Sequence, residues 1–114
     1  MAEIEDLRQR LREFAQARDW EQFHSPKNVA MALIVEAAEL VEHFQWMSEE
    51  DSLTLDPARK EEVALEMADI FIYLLRIADR LDIDLGAATR RKIEINEGRY
   101  PVETSRGKSG RPRV

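Results

Sequence analysis

Two pairs of carboxylates define the chemistry open to this sequence. Glu36 and Glu39 stand three residues apart inside "VAMALIVEAAELV" (Val29–Val41), where every other residue is apolar. Glu66 and Asp69 repeat that spacing inside "EVALEMADIFIYLL". On a helix, three residues place two side chains about 60° apart, on one face. Val29, Ala32, Leu40 and His43 share the first face, and Val63, Ile70, Tyr73 and Ile77 the second. An unpaired ionised carboxylate loses several kcal/mol, as an order of magnitude, when it leaves water. Four of them on two adjacent helices call for a cation. Oxygen-only ligands favour a hard divalent ion, Mg²⁺ first and Mn²⁺ second. Such an ion keeps waters and accepts phosphate oxygens, which points to phosphoanhydride or phosphate-ester hydrolysis. The bland alternative is a set of solvated or salt-bridged acids. A di-iron bundle is a sharper rival, but that design uses Glu-x-x-His motifs on its helices; His43 follows no glutamate by three, and Glu21 and His24, which have the spacing, fall in the connector.

A second constellation lies near the end of the chain. Lys92, Asn96 and Arg99 fall at i, i+4 and i+7, and Tyr100 follows. Alone this is an ordinary solvated face. Beside a metal site it becomes a phosphate clamp, with lysine as a point charge and arginine as a fork. The fragment "GKS" at Gly107–Ser109 is not a phosphate-binding loop, because Val102 occupies the place of the required earlier glycine.

Helices must position these groups. Ile4, Leu7, Leu11 and Phe14 predict an amphipathic helix over 3–18. Ser25-Pro26 starts a second helix running to about Trp46, and its apolar residues predict burial almost all round. "SEEDSLTLD" reads as a loop with at most one short turn. Asp56-Pro57 starts a third helix that reaches about Leu81. Asp84 caps a fourth, ending near Glu97 with Gly98 as its stop. The expected class is all-α, a four-helix bundle whose core is completed by homo-oligomerisation. Residues 1–103 form the expected domain, and 104–114 an unstructured basic tail.

Composition narrows the setting. The 114 residues carry a net charge of −6 and no cysteine, which excludes disulfides and thiolate metal sites. The tail holds four basic residues and no acid, so 1–103 holds 13 basic against 23 acidic side chains, a net of −10. An acidic body argues against binding a nucleic-acid duplex. The opening "MAEIEDLRQ" is not a signal peptide and no apolar run is long enough for a bilayer, so the expected location is cytoplasmic.

Four blocks taken in order resemble a known family: "RDWEQFHSPKN" (Arg18–Asn28), "EAAELVEHFQW" (Glu36–Trp46), "EMADIFIYL" (Glu66–Leu74) and "KIEINEGRYP" (Lys92–Pro101). Together with the ExxE…ExxD spacing they are similar to the all-α MazG-like nucleoside triphosphate pyrophosphohydrolases, in their dCTP pyrophosphatase branch. The resemblance covers about residues 3–103. It implies cleavage between the α and β phosphates, giving a nucleoside monophosphate and pyrophosphate, in the service of nucleotide-pool house-cleaning. It implies Mg²⁺ on Glu36, Glu39, Glu66 and Asp69, with Glu36 or Glu39 accepting the proton of the attacking water. It assigns phosphate contacts to Lys92, Asn96, Arg99 and Tyr100. Trp20, Trp46 and Tyr73 match positions near the base or sugar, and His24 fixes the connector or approaches the substrate. His43, one turn beyond Glu39, is expected to make a supporting hydrogen bond rather than to ligate. The resemblance also implies a dimer or a tetramer of paired dimers. Leu11 departs from the pattern, standing where relatives place a histidine near the base, so broader triphosphate specificity competes with dCTP or modified pyrimidines. A non-catalytic helical interaction module is the alternative from another class.

Overall fold

The computed structural model describes residues 2–109, which fall into two compact units divided between Asp82 and Ile83. Helices account for all regular structure among the described residues, so the chain is all-α. The first unit contains α1 (Ala2–Ala17), a short 3₁₀ turn (Glu21–Phe23), α2 (Pro26–Glu42), a single helical turn α3 (Glu49–Ser52) and α4 (Pro57–Arg80). The second contains α5 (Leu85–Arg99) and the short α6 (Val102–Ser105).

Local chemistry sets the helix starts. Ser25 Oγ accepts the Asn28 N–H at 3.1 Å, with Pro26 in the first turn. Asp56 Oδ1 accepts the Arg59 N–H at 2.9 Å, with Pro57 following. Asp84 Oδ1 accepts the Ala87 N–H at 2.9 Å. Each cap satisfies a donor that the first helical turn leaves unpaired. The end of α1 is equally specific. Asp19 adopts φ 53°, a left-handed conformation that aspartate tolerates better than most residues. Its N–H donates to the Gln16 carbonyl and the Trp20 N–H to that of Ala15, so the chain reverses with Trp20 locked against the end of α1.

Three expectations need correction. Helix α2 stops at Glu42, and His43–Met47 are turns, with the Gln45 N–H still reaching the Val41 carbonyl. Gly98 does not stop α5. It sits inside the helix, which ends at Arg99, and the Tyr100 N–H donates to the Asn96 carbonyl. The chain then forms α6, so the basic tail expected from 104 begins in helix, and residues 110–114 lie outside the described ones.

The core of the first unit is small: Ala15, Val29, Val63, Leu75 and Ala78 are buried. Helix α2 lies along α4, antiparallel, with His43 beside Arg59 at one end and Glu36 beside Glu66 further along; α1 packs more sparingly on α4. The expected near-complete burial of α2 does not occur in the single chain. Only Val29 is buried, while Met31, Ile34, Val35 and Val41 are exposed, Ile34 to 68%. The apolar groups that seemed to enclose the carboxylates are split between the α4 contact and solvent.

Candidate functional site

The antiparallel pairing of α2 and α4 brings Glu36, Glu39 and Glu66 together. Each offers an oxygen within 4.8 Å of the others, and all three are half-buried. Asp69 stands one turn further along α4, exposed and outside this triangle, close enough for its charge to act on Glu36. Glu36 feels the crowding most. A hydrogen bond with Glu66, partial burial and the neighbouring Glu39 push its carboxyl up to about 7. Like charges at this distance cannot all ionise, so the metal-free cluster holds a proton. Glu66 Oε2 is buried without a hydrogen-bond partner. Oxygen donors that repel one another, one of them orphaned, fit a hard divalent cation.

Beside the cluster opens a cavity of about 290 Å³, near the lower end of ligand-pocket sizes. Trp20, His24 and Tyr73 line it together with Asp69, Leu11 and Arg76. Trp20 stands edge-on to both Phe14 (5.6 Å between ring centres) and His24 (6.1 Å). Burial, then the field of Arg76, lowers the His24 pKa, so its ring is held neutral, with Nδ1 buried and unpartnered. Burial first, then the Glu36 charge, raises that of Tyr73. Three of the four expected base or sugar residues therefore share one cavity, adjoining the carboxylates through Asp69. Trp46 does not join them. It is 90% exposed in the turn after α2. Lys92, Asn96, Arg99 and Tyr100 lie on and just after α5 in the second unit, with Lys92 and Arg99 exposed. His43 makes no hydrogen bond to a carboxylate of the triangle; an Arg59 N–H donates to its Nδ1 at 3.1 Å, and Glu62 lies 3.8 Å from the same atom.

The spacing of ExxE and ExxD did not reveal an ion network behind the aromatic cavity. Arg76 is only 3% exposed. It donates to Glu21 at 2.7 Å and to Asp79 at 3.3 Å. Asp79 also accepts from Arg12, and Arg80 donates to Glu21. The network ties the 3₁₀ turn between Trp20 and His24 to α4. A local signal did exist: Arg59, Glu62, Glu66, Asp69, Tyr73 and Arg76 recur at intervals of three and four, one face of α4.

Known proteins resemble this chain in sequence and in fold. The chain is 45% identical over 106 residues to dCTP pyrophosphatase 1 of Rattus norvegicus, covering 91% of this chain and 62% of that protein. It is 42% identical over 108 residues to dCTP pyrophosphatase 1 of Homo sapiens, covering 93% and 64%. It thus spans just under two thirds of the length of these curated relatives. A crystal structure of a pyrophosphatase from Archaeoglobus fulgidus superposes with a TM-score of 0.82 at 43% identity, covering 87% of this chain and 93% of that one. A model of the MazG-like family matches residues 31–111, which include the carboxylate triangle, Tyr73 and all of α5. The chain belongs to the MazG-like family.

Proposed function

We propose that this protein hydrolyses (deoxy)nucleoside triphosphates between the α and β phosphates, releasing monophosphate and pyrophosphate, with dCTP or modified pyrimidine triphosphates as preferred substrates. The observation that carries the reading is the adjacency of a three-carboxylate cluster and an aromatic cavity, joined through Asp69. Likeness to dCTP pyrophosphatases and to a solved pyrophosphatase supports it.

Glu36, Glu39 and Glu66, with Asp69 alongside, would hold Mg²⁺ or Mn²⁺, which when bound polarises phosphate oxygens and lowers the pKa of water. The residues do the rest. Trp20 and Tyr73 offer flat surfaces for a base, and neutral His24 adds a polar edge. Leu11 makes that wall apolar. Water attacks the α phosphorus, the bond to the bridging oxygen breaks, and pyrophosphate leaves. Glu36 or Glu39 accepts the proton lost by the water. Phosphate contact by Lys92, Asn96, Arg99 and Tyr100 rests on the family resemblance and on the makeup of the α5 face.

A homo-oligomer belongs to the same reading. Ile34, Val35 and Val41 on α2 and Met67 on α4 are large apolar groups left exposed in one chain, and a second copy is the natural cover. A monomer by light scattering at micromolar concentration would sink it. For the location, no helix among the described residues is long and apolar enough to cross a membrane; a cytoplasmic protein fits the substrate.

The reaction itself is tested by incubating the protein with Mg²⁺ and a panel of canonical and C5-modified triphosphates, then measuring the products. Monophosphate with pyrophosphate is expected. Orthophosphate as the first product, or no cleavage of any triphosphate, would refute the proposal.

A further inference from the structure

The face of α4 that carries Glu66 extends two helical turns in each direction. Tyr73 lies seven residues beyond Glu66 and Arg59 seven before it, about 10 Å each way at 1.5 Å per residue. Tyr73 marks the aromatic cavity. At the Arg59 end is a second cavity of about 350 Å³, lined by Glu39, Glu42, His43, Arg59 and Glu66. It shares two carboxylates with the proposed metal cluster and lies on the side away from the aromatic rings. A substrate with its base among the rings and its α phosphate at the cluster can run its β and γ phosphates along α4 into this cavity.

Arg59 is suited to meet them. Its N–H donates to His43 Nδ1 at 3.1 Å, and Glu62 Oε2 lies 3.8 Å from the same ring nitrogen. The imidazole holds the fork in place and brings no acid of its own to it. The contact with Glu62, 4.0 Å from Nε, is loose and at a surface where such pairs contribute little. The guanidinium is thus oriented, charged and only partly engaged. The acids facing it are Glu39, Glu42, Glu62 and Glu66. A polyanion therefore enters only with a divalent cation.

We propose that this second cavity is the pyrophosphate subsite, with Arg59 as its phosphate-binding cation and His43 as the residue that positions Arg59. This rests on the pyrophosphohydrolase reading above. The substrate lies along α4, base toward Arg76 and γ phosphate toward Arg59. Arg59 then distinguishes triphosphates from monophosphates, which end at the carboxylate cluster.

The test compares wild type with Arg59→Ala, Arg59→Lys and His43→Ala. Inorganic pyrophosphate is titrated calorimetrically into each with Mg²⁺ present, and nucleoside monophosphate and pyrophosphate are assayed as product inhibitors. A charged, two-pronged contact is worth about tenfold or more in affinity. Arg59→Ala should weaken pyrophosphate binding by about that factor and raise the triphosphate KM, leaving monophosphate inhibition unchanged. Lysine should restore part of the loss as a point charge. His43→Ala should cost less than Arg59→Ala. Pyrophosphate affinity unchanged in Arg59→Ala, or weakened no more than that of the monophosphate, overturns the subsite. Wild type that cleaves no triphosphate overturns the reaction instead. Pyrophosphate binding, read by heat alone, still decides the subsite.

Discussion

Helix α4 carries two charge clusters built on opposite rules. Toward its C-terminus, Arg76 and Asp79 are matched: Arg76 meets Glu21 and Asp79, and Asp79 meets Arg12 and Arg8. Hydrogen bonds from these arginines hold Asp79 and Glu21 below the ordinary carboxylate range. Near its middle, Glu66 meets Glu36 and Glu39, and the first effect of that contact is to push Glu36 up to about 7. One region spends opposite charges on holding the 3₁₀ connector in place. The other leaves like charges uncompensated where the proposed reaction would hold a cation. The difference teaches which cluster is structural: matched charges lose stability when one is removed, and mismatched charges lose function.

The sharpest way to break this contrast is Glu39→Gln. Without divalent cation, one like charge disappears, so the urea midpoint should stay level or rise. With Mg²⁺, turnover should fall by about a hundred- to a thousandfold, or about 3–4 kcal/mol in barrier. Wild-type turnover in the variant would remove Glu39 from the site. A collapse of stability would show the cluster to be structural after all.

The mirror experiment is Asp79→Ala. It strands Arg12 and deprives the buried Arg76 of one of its two partners. Breaking a buried pair costs about 3 kcal/mol, which should appear as a lower urea midpoint with an unchanged slope. Because the network anchors the turn between Trp20 and His24, KM should rise more than kcat falls. A midpoint within experimental error of wild type would mean that the network contributes nothing.

Much of this was legible before the fold, and the misses have physical causes. Ser25, Asp56 and Asp84 cap where their side chains announce it, because an N-cap is decided within four residues. The carboxylate faces followed from helical spacing. The ion network did not, since Glu21 and Arg76 are 55 residues apart, and Arg12 and Asp79 67. Spacing along α4 sets Arg76 on the face of Glu66, but it cannot name partners at that separation. Helix α2 was read as enclosed because apolar content says that surface must be covered, not by which chain. Trp46, which the resemblance sets near the base or sugar, follows the end of α2 by four residues and is exposed in the single chain, like the apolar groups of α2 itself.

The smallest effect is the most discriminating, because the two clusters respond to pH with opposite sign. In the network, Asp79 and Glu21 release their protons more readily folded than unfolded. Their stabilisation is complete above the unfolded carboxylate range and disappears as pH falls through the folded values, so acid weakens that end. Glu36 behaves in reverse. Folded it keeps its proton up to about 7, unfolded only to about 4.5. Between these values the folded state binds the extra proton, so stability falls as pH rises, by at most about 1.4 kcal/mol per unit. His24 blurs the raw curve, since its lowered pKa makes stability fall as pH drops below about 6.5. Subtracting the profile of Glu36→Gln removes that contribution, because both proteins keep His24. The difference, wild type minus variant without metal, should decline steadily from pH 4.5 to 7 and level off above. Saturating Mg²⁺ should reverse the decline, since the cation binds the deprotonated carboxylates and releases their proton. A flat difference curve would mean that the acids of the triangle are far enough apart to ionise independently. The contrast between the two ends of α4 would then reduce to ordinary solvated charge.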